Sequence, residues 1–269
     1  ASGDTVPICV LGTYSAGKST FINALIGQEL LPSAEIPVTA KIYKVTASPY
    51  EDRAKISFIF KDDRVVLTFH DDQVFYDGLN ETDAFGKEIN EILNDSFDSI
   101  ISKLRAVLEV INDFADEGVG DLIEILVPFS KGILGDVGSK ITIFDTPGSN
   151  SSTNSKHSEV LANAMAGMSN GLPVFVTDSS SLDSTDNSNL KEKLISVEGL
   201  DERFTMIVVN KAEAADLSLT NFKRDSFRNK IMNQAVPREL YAQGIYYVSS
   251  ILGLGAKLNG HLEGEFYSE

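Results

Sequence analysis

The segment from Gly12 to Thr20 has the residue types and spacing of a phosphate-binding loop. It reads Gly-Thr-Tyr-Ser-Ala-Gly-Lys-Ser-Thr, in which four residues separate the first glycine from Gly-Lys-Ser. Glycines allow the backbone to curl so that its N–H groups point at phosphate oxygens. At this spacing we expect Lys18 to reach the β- and γ-phosphates and the Ser19 hydroxyl to bind Mg²⁺. The sequence therefore predicts a nucleotide site with a magnesium ion.

The residues on either side of this loop predict the elements that such a loop requires. Val6 to Leu11 is an apolar run typical of a buried strand, and Phe21 to Ile26 has a helical pattern that Gly27 ends. A strand, a glycine loop and a helix in this order place the unpaired N–H groups of the helix N-terminus against the phosphates. The predicted phosphate-binding residues are Thr13, Tyr14, Ser15, Ala16, Gly17, Lys18, Ser19 and Thr20.

Two further residues are candidates for the same metal ion. The apolar stretch 140–144 predicts a strand, and an Asp-Thr-Pro-Gly tetrapeptide follows it at the carboxyl end, where open α/β sheets bind ligands. There Asp145 is placed to hold Mg²⁺ through water, and the Gly148 N–H is placed to contact the γ-phosphate. Thr39 lies in a proline-containing loop after the first helix, where P-loop GTPases use a threonine hydroxyl as a metal ligand. The predicted metal ligands are Ser19, Thr39 and Asp145.

The rest of the chain predicts one α/β domain over residues 1–269, with a mostly parallel central sheet flanked by helices. An extra hairpin around Lys61-Asp62-Asp63 and a helical insertion at about 81–118 fall between Thr39 and Asp145. Within the insertion, 83–114 has a helical pattern. Further strands are predicted at 41–47, 55–60, 64–69, 122–128, 172–177, 204–209 and 245–248, and further helices at 157–168, 190–197 and 222–235.

Composition limits the classes of function. The chain has 269 residues, 42% of them hydrophobic, and a net charge of −16 without a run of Lys and Arg. This disfavours nucleic-acid binding and a polybasic membrane patch. The single cysteine, Cys9, excludes an intramolecular disulfide, fits a reducing compartment and is expected in the core. We find no bilayer-spanning apolar run and no signal-peptide layout, and we expect a cytoplasmic location. The chain opens almost directly on its first predicted strand and ends soon after the last one, which fits either an excised domain or a complete chain.

With its motifs in this order, the sequence resembles the dynamin superfamily, most closely its bacterial dynamin-like branch. The resemblance covers essentially the whole chain, as a GTPase domain without the helical stalk and membrane-binding regions. It implies GTP and GDP as ligands with Mg²⁺, slow hydrolysis that rises when domains dimerise across the nucleotide face, and a conformational cycle at membranes. Membrane contact would come only through regions absent here, so the full-length protein would be peripherally membrane-associated. The segments that carry the resemblance are 12–27, 36–39, 145–148, 209–211 and 248–250.

The resemblance also assigns residues to the guanine base. In such GTPases an Asn-Lys-x-Asp box selects guanine, and here Asn210 and Lys211 match while Glu213 stands in place of the aspartate. Glutamate offers the same acceptors on a longer stem, so we expect guanine preference to survive with some loss. Ser249 and Ser250, after the last predicted strand, complete the nucleotide-binding set.

The resemblance leaves the position of a catalytic glutamine unfilled. Dynamins place it where Tyr14 stands, and Ras-like enzymes place it where Ser149 stands. The catalytic candidates are therefore Lys18, Thr39, whose carbonyl would accept a hydrogen bond from water, and Ser15. The serine resembles the dynamin residue that helps bind a monovalent cation.

Alternative functions remain open at this point. A nucleotide-gated dimerisation module with little hydrolysis fits the departures at Tyr14 and Glu213. An Era-like GTPase would be expected to bring an RNA-binding module and a basic surface, and the sequence contains neither. A structural role with an inactive pocket is disfavoured because Lys18, Ser19 and Asp145 are intact.

Overall fold

A computed structural model describes residues 5–12, 16–32, 41–70, 73–129, 134, 140–146, 172–178, 206–211 and 245–260. The strands are β1 (Thr5–Gly12), β2 (Ile42–Ala47), β3 (Arg53–Phe60), β4 (Asp63–His70), β5 (Gln73–Asp77), β6 (Leu122–Val127), β7 (Lys140–Asp145), β8 (Leu172–Asp178), β9 (Met206–Asn210) and β10 (Ile245–Tyr247). The described helices are α1 (Lys18–Ile26), α2 (Ala84–Asn94), α3 (Ile100–Asp113) and α4 (Ser250–Lys257).

All ten described strands form one sheet in the order β10-β9-β8-β1-β7-β2-β6-β3-β4-β5. From β10 to β7 every neighbouring pair is parallel. β2 is antiparallel to β7 and parallel to β6, and β3, β4 and β5 continue as an antiparallel meander. The predicted α/β class, with a mostly parallel sheet and an inserted hairpin, is confirmed.

Strand register brings the predicted site to one edge of the sheet. Val10 of β1 lies opposite Asp145 of β7, and Asp178 of β8 lies opposite Asn210 of β9. Because these strands are parallel, their carboxyl ends meet at the same edge. β2 runs the other way, so its beginning reaches this edge too, with Tyr43 opposite Asp145.

Helices α2 and α3 cover the antiparallel half of the sheet with an aromatic and aliphatic core. Phe85 of α2 stacks on Phe60 with ring centroids 4.2 Å apart and meets Phe58 and Phe114 edge-on at 5.8 and 5.4 Å. Four apolar side chains of α3 are fully buried in this core: Leu104, Val107, Leu108 and Ile111.

The helical pattern predicted over 83–114 is interrupted, so that part of the prediction is wrong. The chain forms two helices because side chains between them bond locally to the backbone and compete with helical hydrogen bonds. The Asp95 carboxylate accepts from the Ser96 N–H at 2.8 Å, and Ser99 caps α3. Ser99 Oγ accepts from the Ser102 N–H at 3.1 Å, and Ser102 Oγ accepts from the Ser99 N–H at 3.1 Å. This reciprocal capping box fixes the start of α3.

The predicted hairpin is confirmed, with a two-residue turn. Lys61 and Asp62 have φ values of 48° and 73°, as a type I′ turn requires. The strand β5 that follows was not predicted, because most of its side chains are exposed and it lacks apolar alternation. Helix α4 was also not predicted, since Gly253 and Gly255 weaken its helical pattern.

The three helices predicted at 157–168, 190–197 and 222–235 lie outside the described residues. Cys9 is buried, as predicted. Among the described parts of the chain, no helix is both long and apolar enough to cross a bilayer.

Candidate nucleotide-binding site

Two glycines are required by the packing of the phosphate loop. A Cβ on Gly12 would lie 2.2 Å from the Val176 carbonyl oxygen, so only glycine allows β1 to end this close to β8. Gly17 precedes α1 with a left-handed φ of 79°, and a Cβ there would lie 2.4 Å from the Asn210 amide nitrogen. These contacts explain physically why the motif has glycine at both positions.

Ser19 and Asp145 form a hydrogen-bonded pair at the start of α1. Ser19 Oγ donates to Asp145 Oδ2 at 2.8 Å. Asp145 is 5% exposed, and its Oδ1 is buried without a hydrogen-bond partner among the described residues. A buried carboxylate oxygen without a donor is unfavourable, and Mg²⁺ takes oxygen ligands of these two kinds. The pair therefore fits a magnesium ion.

Lys18 adds a partly buried positive charge beside this pair. Its Nζ donates to the Gly12 carbonyl at 3.4 Å. Burial lowers the pKa of Lys18 and raises the pKa of Asp145, and each of these two groups opposes the shift of the other through its charge. A phosphate group next to Lys18 would stabilise the charged ammonium.

Asn210 connects three parts of the site. Its Nδ2 donates to the carbonyls of Ala16 and Gly17 at 3.1 and 3.3 Å. Its Oδ1 accepts from the N–H and hydroxyl of Ser250 at 3.1 and 2.7 Å. Lys211 follows the end of β9 with a left-handed φ of 55°. The end of β9 thus bonds both the phosphate loop and the first residue of α4.

The structure brings together part of the predicted site. The residues at the carboxyl edge of the sheet are Ala16, Gly17, Lys18, Ser19, Asp145, Asn210, Lys211, Ser249 and Ser250, and Thr20 lies in the first turn of α1. Ser249 caps α4 through its hydroxyl, which accepts from the Leu252 N–H at 3.3 Å. The remaining predicted residues, Thr13, Tyr14, Ser15, Thr39, Gly148 and Glu213, lie outside the described residues and stay predictions.

Two residues at this edge were missed from the sequence. The Thr146 hydroxyl donates to the Val10 carbonyl at 2.8 Å, which ties the end of β7 to β1. Asp178 ends β8 and is 5% exposed. Its position at the end of an apolar strand is the same sequence signal that predicts Asp145 as a site residue.

These elements define the class of the protein. A glycine loop joins β1 to α1, a serine and an aspartate lie beneath the helix start, and an Asn-Lys pair ends a neighbouring parallel strand. This is the arrangement of a P-loop nucleotide-binding α/β domain. The family model described as "Dynamin family" matches residues 8–212, more than half of the chain. The chain belongs to the dynamin family.

Curated relatives match over short segments. The chain is 49% identical to "Dynamin-like protein A" of Bacillus subtilis over 39 residues, which are 14% of this chain and 3% of that protein. It is 46% identical to "Bacterial dynamin-like protein" of Nostoc punctiforme over 55 residues, 20% of this chain and 8% of that protein. The resemblance to the bacterial dynamin-like branch is therefore confirmed.

A solved structure has the same fold. It is described as "An oligomerised bacterial dynamin pair provides a mechanism for the long range sensing and tethering of membranes". The likeness has a TM-score of 0.51 at 18% identity and covers 99% of this chain. The chain corresponds to 42% of that protein's length.

Proposed function

We propose that this domain binds GTP and GDP with Mg²⁺ and hydrolyses GTP slowly, with faster turnover when two domains pair across the nucleotide face. The observation that carries the proposal is the hydrogen bond between Ser19, at the start of α1, and the buried Asp145, whose second carboxylate oxygen has no hydrogen-bond partner among the described residues. Membership of the dynamin family supports the choice of GTP, because the family generally uses guanine nucleotides with Mg²⁺.

We assign the chain's own residues to charge stabilisation and positioning. Ser19, Asp145 and Thr39 would hold the ion, which when bound neutralises charge on the phosphate oxygens. Lys18 and the loop N–H groups stabilise the charge that spreads over the transferred phosphoryl group. The Thr39 carbonyl orients the attacking water. Ser15 helps bind a monovalent cation.

We assign recognition of the guanine base to the residues around the end of β9. Asn210 reads the edge of the guanine ring, the Lys211 stem packs against it, and the Glu213 carboxylate accepts from its N–H groups. Ser249 and Ser250 follow β10 beside them. The bonds between Asn210 and Ser250 support this grouping.

Partners and localisation follow from the same proposal. The similar solved structure is described as oligomerised and as tethering membranes. We propose self-association of this domain, and peripheral membrane association of a full-length cytoplasmic protein through regions beyond this chain. Nucleic acid is not a proposed partner.

Two measurements test the proposal. The first is titration with GTP, GDP and ATP in the presence of Mg²⁺ or of EDTA, and the second is phosphate release from GTP. We expect guanine nucleotides to bind more tightly than ATP, and Lys18→Ala to abolish turnover. Lys87→Ala, which removes an exposed lysine on α2, is the matched control and should behave as wild type. Equal affinity for GTP and ATP, or normal hydrolysis by Lys18→Ala, would contradict the assignment.

A further inference from the structure

Strand β5 ends the described sheet and has a strand neighbour on one side. It pairs with β4 antiparallel over five residues in an unbroken register, from Val66 opposite Asp77 to His70 opposite Gln73. In such a ladder, alternate residues direct their N–H and C=O groups away from the partner strand. Within the described part of the chain, no strand bonds these outward-directed groups of β5.

Two aromatic side chains of this edge strand are exposed. Phe75 is 58% exposed and Tyr76 is 42% exposed, and they lie on opposite faces of the sheet because successive side chains alternate. Proteins commonly protect an edge strand with lysine, proline or a bulge. β5 has none of these, and its single charged residue, Asp77, is its last. The edge is therefore open to a further strand.

The sequence of β5 is complementary to a second copy of itself. When a two-fold axis perpendicular to the sheet makes two copies antiparallel neighbours, full overlap of the five residues places the axis at Phe75. Phe75 then lies opposite its own counterpart, and Val74 lies opposite Tyr76 on the other face. Gln73 lies opposite Asp77, so an amide donor meets a carboxylate acceptor. Aromatic and apolar pairs of this kind are favourable across strands.

We propose that β5 is a self-association surface, through which two copies of this chain join their sheets edge to edge about Phe75. β5 is five positions along the sheet from β7, or about 24 Å at the usual strand spacing. A domain joined through β5 therefore keeps the nucleotide edge free. The contact is small and each copy carries a net charge of −16, so the dimer is weak and forms near millimolar concentration, more readily at high salt.

Cysteine cross-linking of the nucleotide-free protein tests the register. Opposite residues of an antiparallel pair have Cα atoms about 4.5–5.5 Å apart, within the range of a disulfide. Phe75→Cys should therefore form a linked dimer under mild oxidation. Gln73→Cys and Asp77→Cys should each stay monomeric alone, because each lies about 13 Å from its own counterpart, and should form a linked heterodimer when mixed.

The matched control for cross-linking is Ile59→Cys, at an exposed apolar position on β3. Phe75→Cys should cross-link about tenfold faster than this control, because strand pairing raises the local concentration of its thiol. Wild type gives the background, since its Cys9 is buried. If Phe75→Cys fails to fold in a thermal unfolding check, the mixture of Gln73→Cys and Asp77→Cys decides.

A charge at the axis tests the same contact without a cross-link. Phe75→Lys places two like charges directly opposite each other, which is unfavourable across strands. In sedimentation near millimolar concentration at high salt, wild type should contain dimer and Phe75→Lys should be monomeric. Ile59→Lys is the matched control and should behave as wild type.

Equal cross-linking of Phe75→Cys and Ile59→Cys would overturn the proposal, and so would a linked dimer of Gln73→Cys alone. Wild type that stays monomeric at every concentration and salt would also overturn it, and would leave this edge to an extended segment of a different protein. All of these measurements use nucleotide-free protein, so a failure of the proposed GTP binding would not change their outcome.

Discussion

The family motif assigns Asn210 to the guanine base, yet its side chain also holds the phosphate loop. Replacing it by alanine removes the partner of two loop carbonyls and of the Ser250 N–H and hydroxyl. Each buried group left unpaired costs about 1–3 kcal/mol. Asn210→Ala should therefore weaken ATP binding as well as GTP binding, by more than about tenfold, and lower the melting temperature.

Titration with both nucleotides and thermal unfolding measure these effects. Asn94→Ala, at an exposed position that ends α2, is the control. A residue that only reads the base would lose discrimination and leave ATP binding unchanged, and that result would contradict the bonding described here.

We expect a single substitution at Glu213 to increase the preference of the domain for GTP over ATP. Its carboxylate has the acceptors that guanine needs, but a stem one methylene longer than that of aspartate. A misplaced contact of this kind costs about 1–3 kcal/mol. Glu213→Asp should raise the ratio of GTP to ATP affinity by at least about fivefold, as measured by calorimetric titration, with Glu91→Asp on α2 as the control. An unchanged ratio would show that Glu213 does not face the base.

At the residue scale, short motifs predicted the chemistry but not the contacts between motifs. Lys18, Ser19 and Asp145 are predicted site residues because a glycine loop or a tetrapeptide follows an apolar strand. The bonds from Asn210 to Ala16 and Gly17 could not be predicted, because they depend on the order of β9, β8 and β1 in the sheet. That order is set by packing over nearly two hundred residues of separation.

At the scale of elements, prediction succeeded where burial produces a pattern. β1, β6, β7 and β8 have apolar runs and were found, whereas the exposed edge strand β5 has none. The break between α2 and α3 was missed because apolar spacing continues across it through Phe97. The capping bonds of Ser99 with Ser102 decide that break, and they add no apolar signal.

Glu124 connects three strands of the inserted half of the sheet. Its carboxylate accepts from Lys44 of β2 at 2.8 Å and lies 4.0 Å from Arg64 of β4. The hydrogen bond from Lys44 lowers the pKa of Glu124 below its ordinary 4.5, against the effect of partial burial. The ionised carboxylate therefore stabilises the fold above pH 4.5, and this contribution disappears as pH falls through the lower, folded-state pKa.

Glu124→Gln should therefore destabilise the domain at pH 7 and have little effect in strong acid. The side chain is 40% exposed, so the difference at pH 7 should be only about 0.5–1 kcal/mol. Denaturant unfolding of wild type and variant at pH 7 and at pH 3 measures it, with the exposed Glu91→Gln as control. A difference that persists at pH 3 would show that packing, not charge, accounts for the effect.

At the scale of the whole molecule, the candidate site lies at the carboxyl edge of the sheet. The ends of β1, β7, β8 and β9 and the start of β2 meet there. The sequence departs from related GTPases at both positions where a catalytic glutamine would stand, Tyr14 and Ser149. A second domain placed over this edge would exclude water and order the segments around the γ-phosphate. We expect this ordering to position the attacking water, which a catalytic glutamine would otherwise do.

Turnover per domain should therefore rise with protein concentration, between about 1 and 100 µM, because pairing follows mass action. A transition-state mimic with GDP should shift the mass from monomer to dimer. Each copy carries a net charge of −16, so screening by salt should strengthen pairing. Phosphate release and sedimentation at two salt concentrations measure both effects, with Lys18→Ala as the inactive control. Concentration-independent turnover would contradict activation by pairing, whereas dimerisation without turnover would favour a nucleotide-gated module over an enzyme.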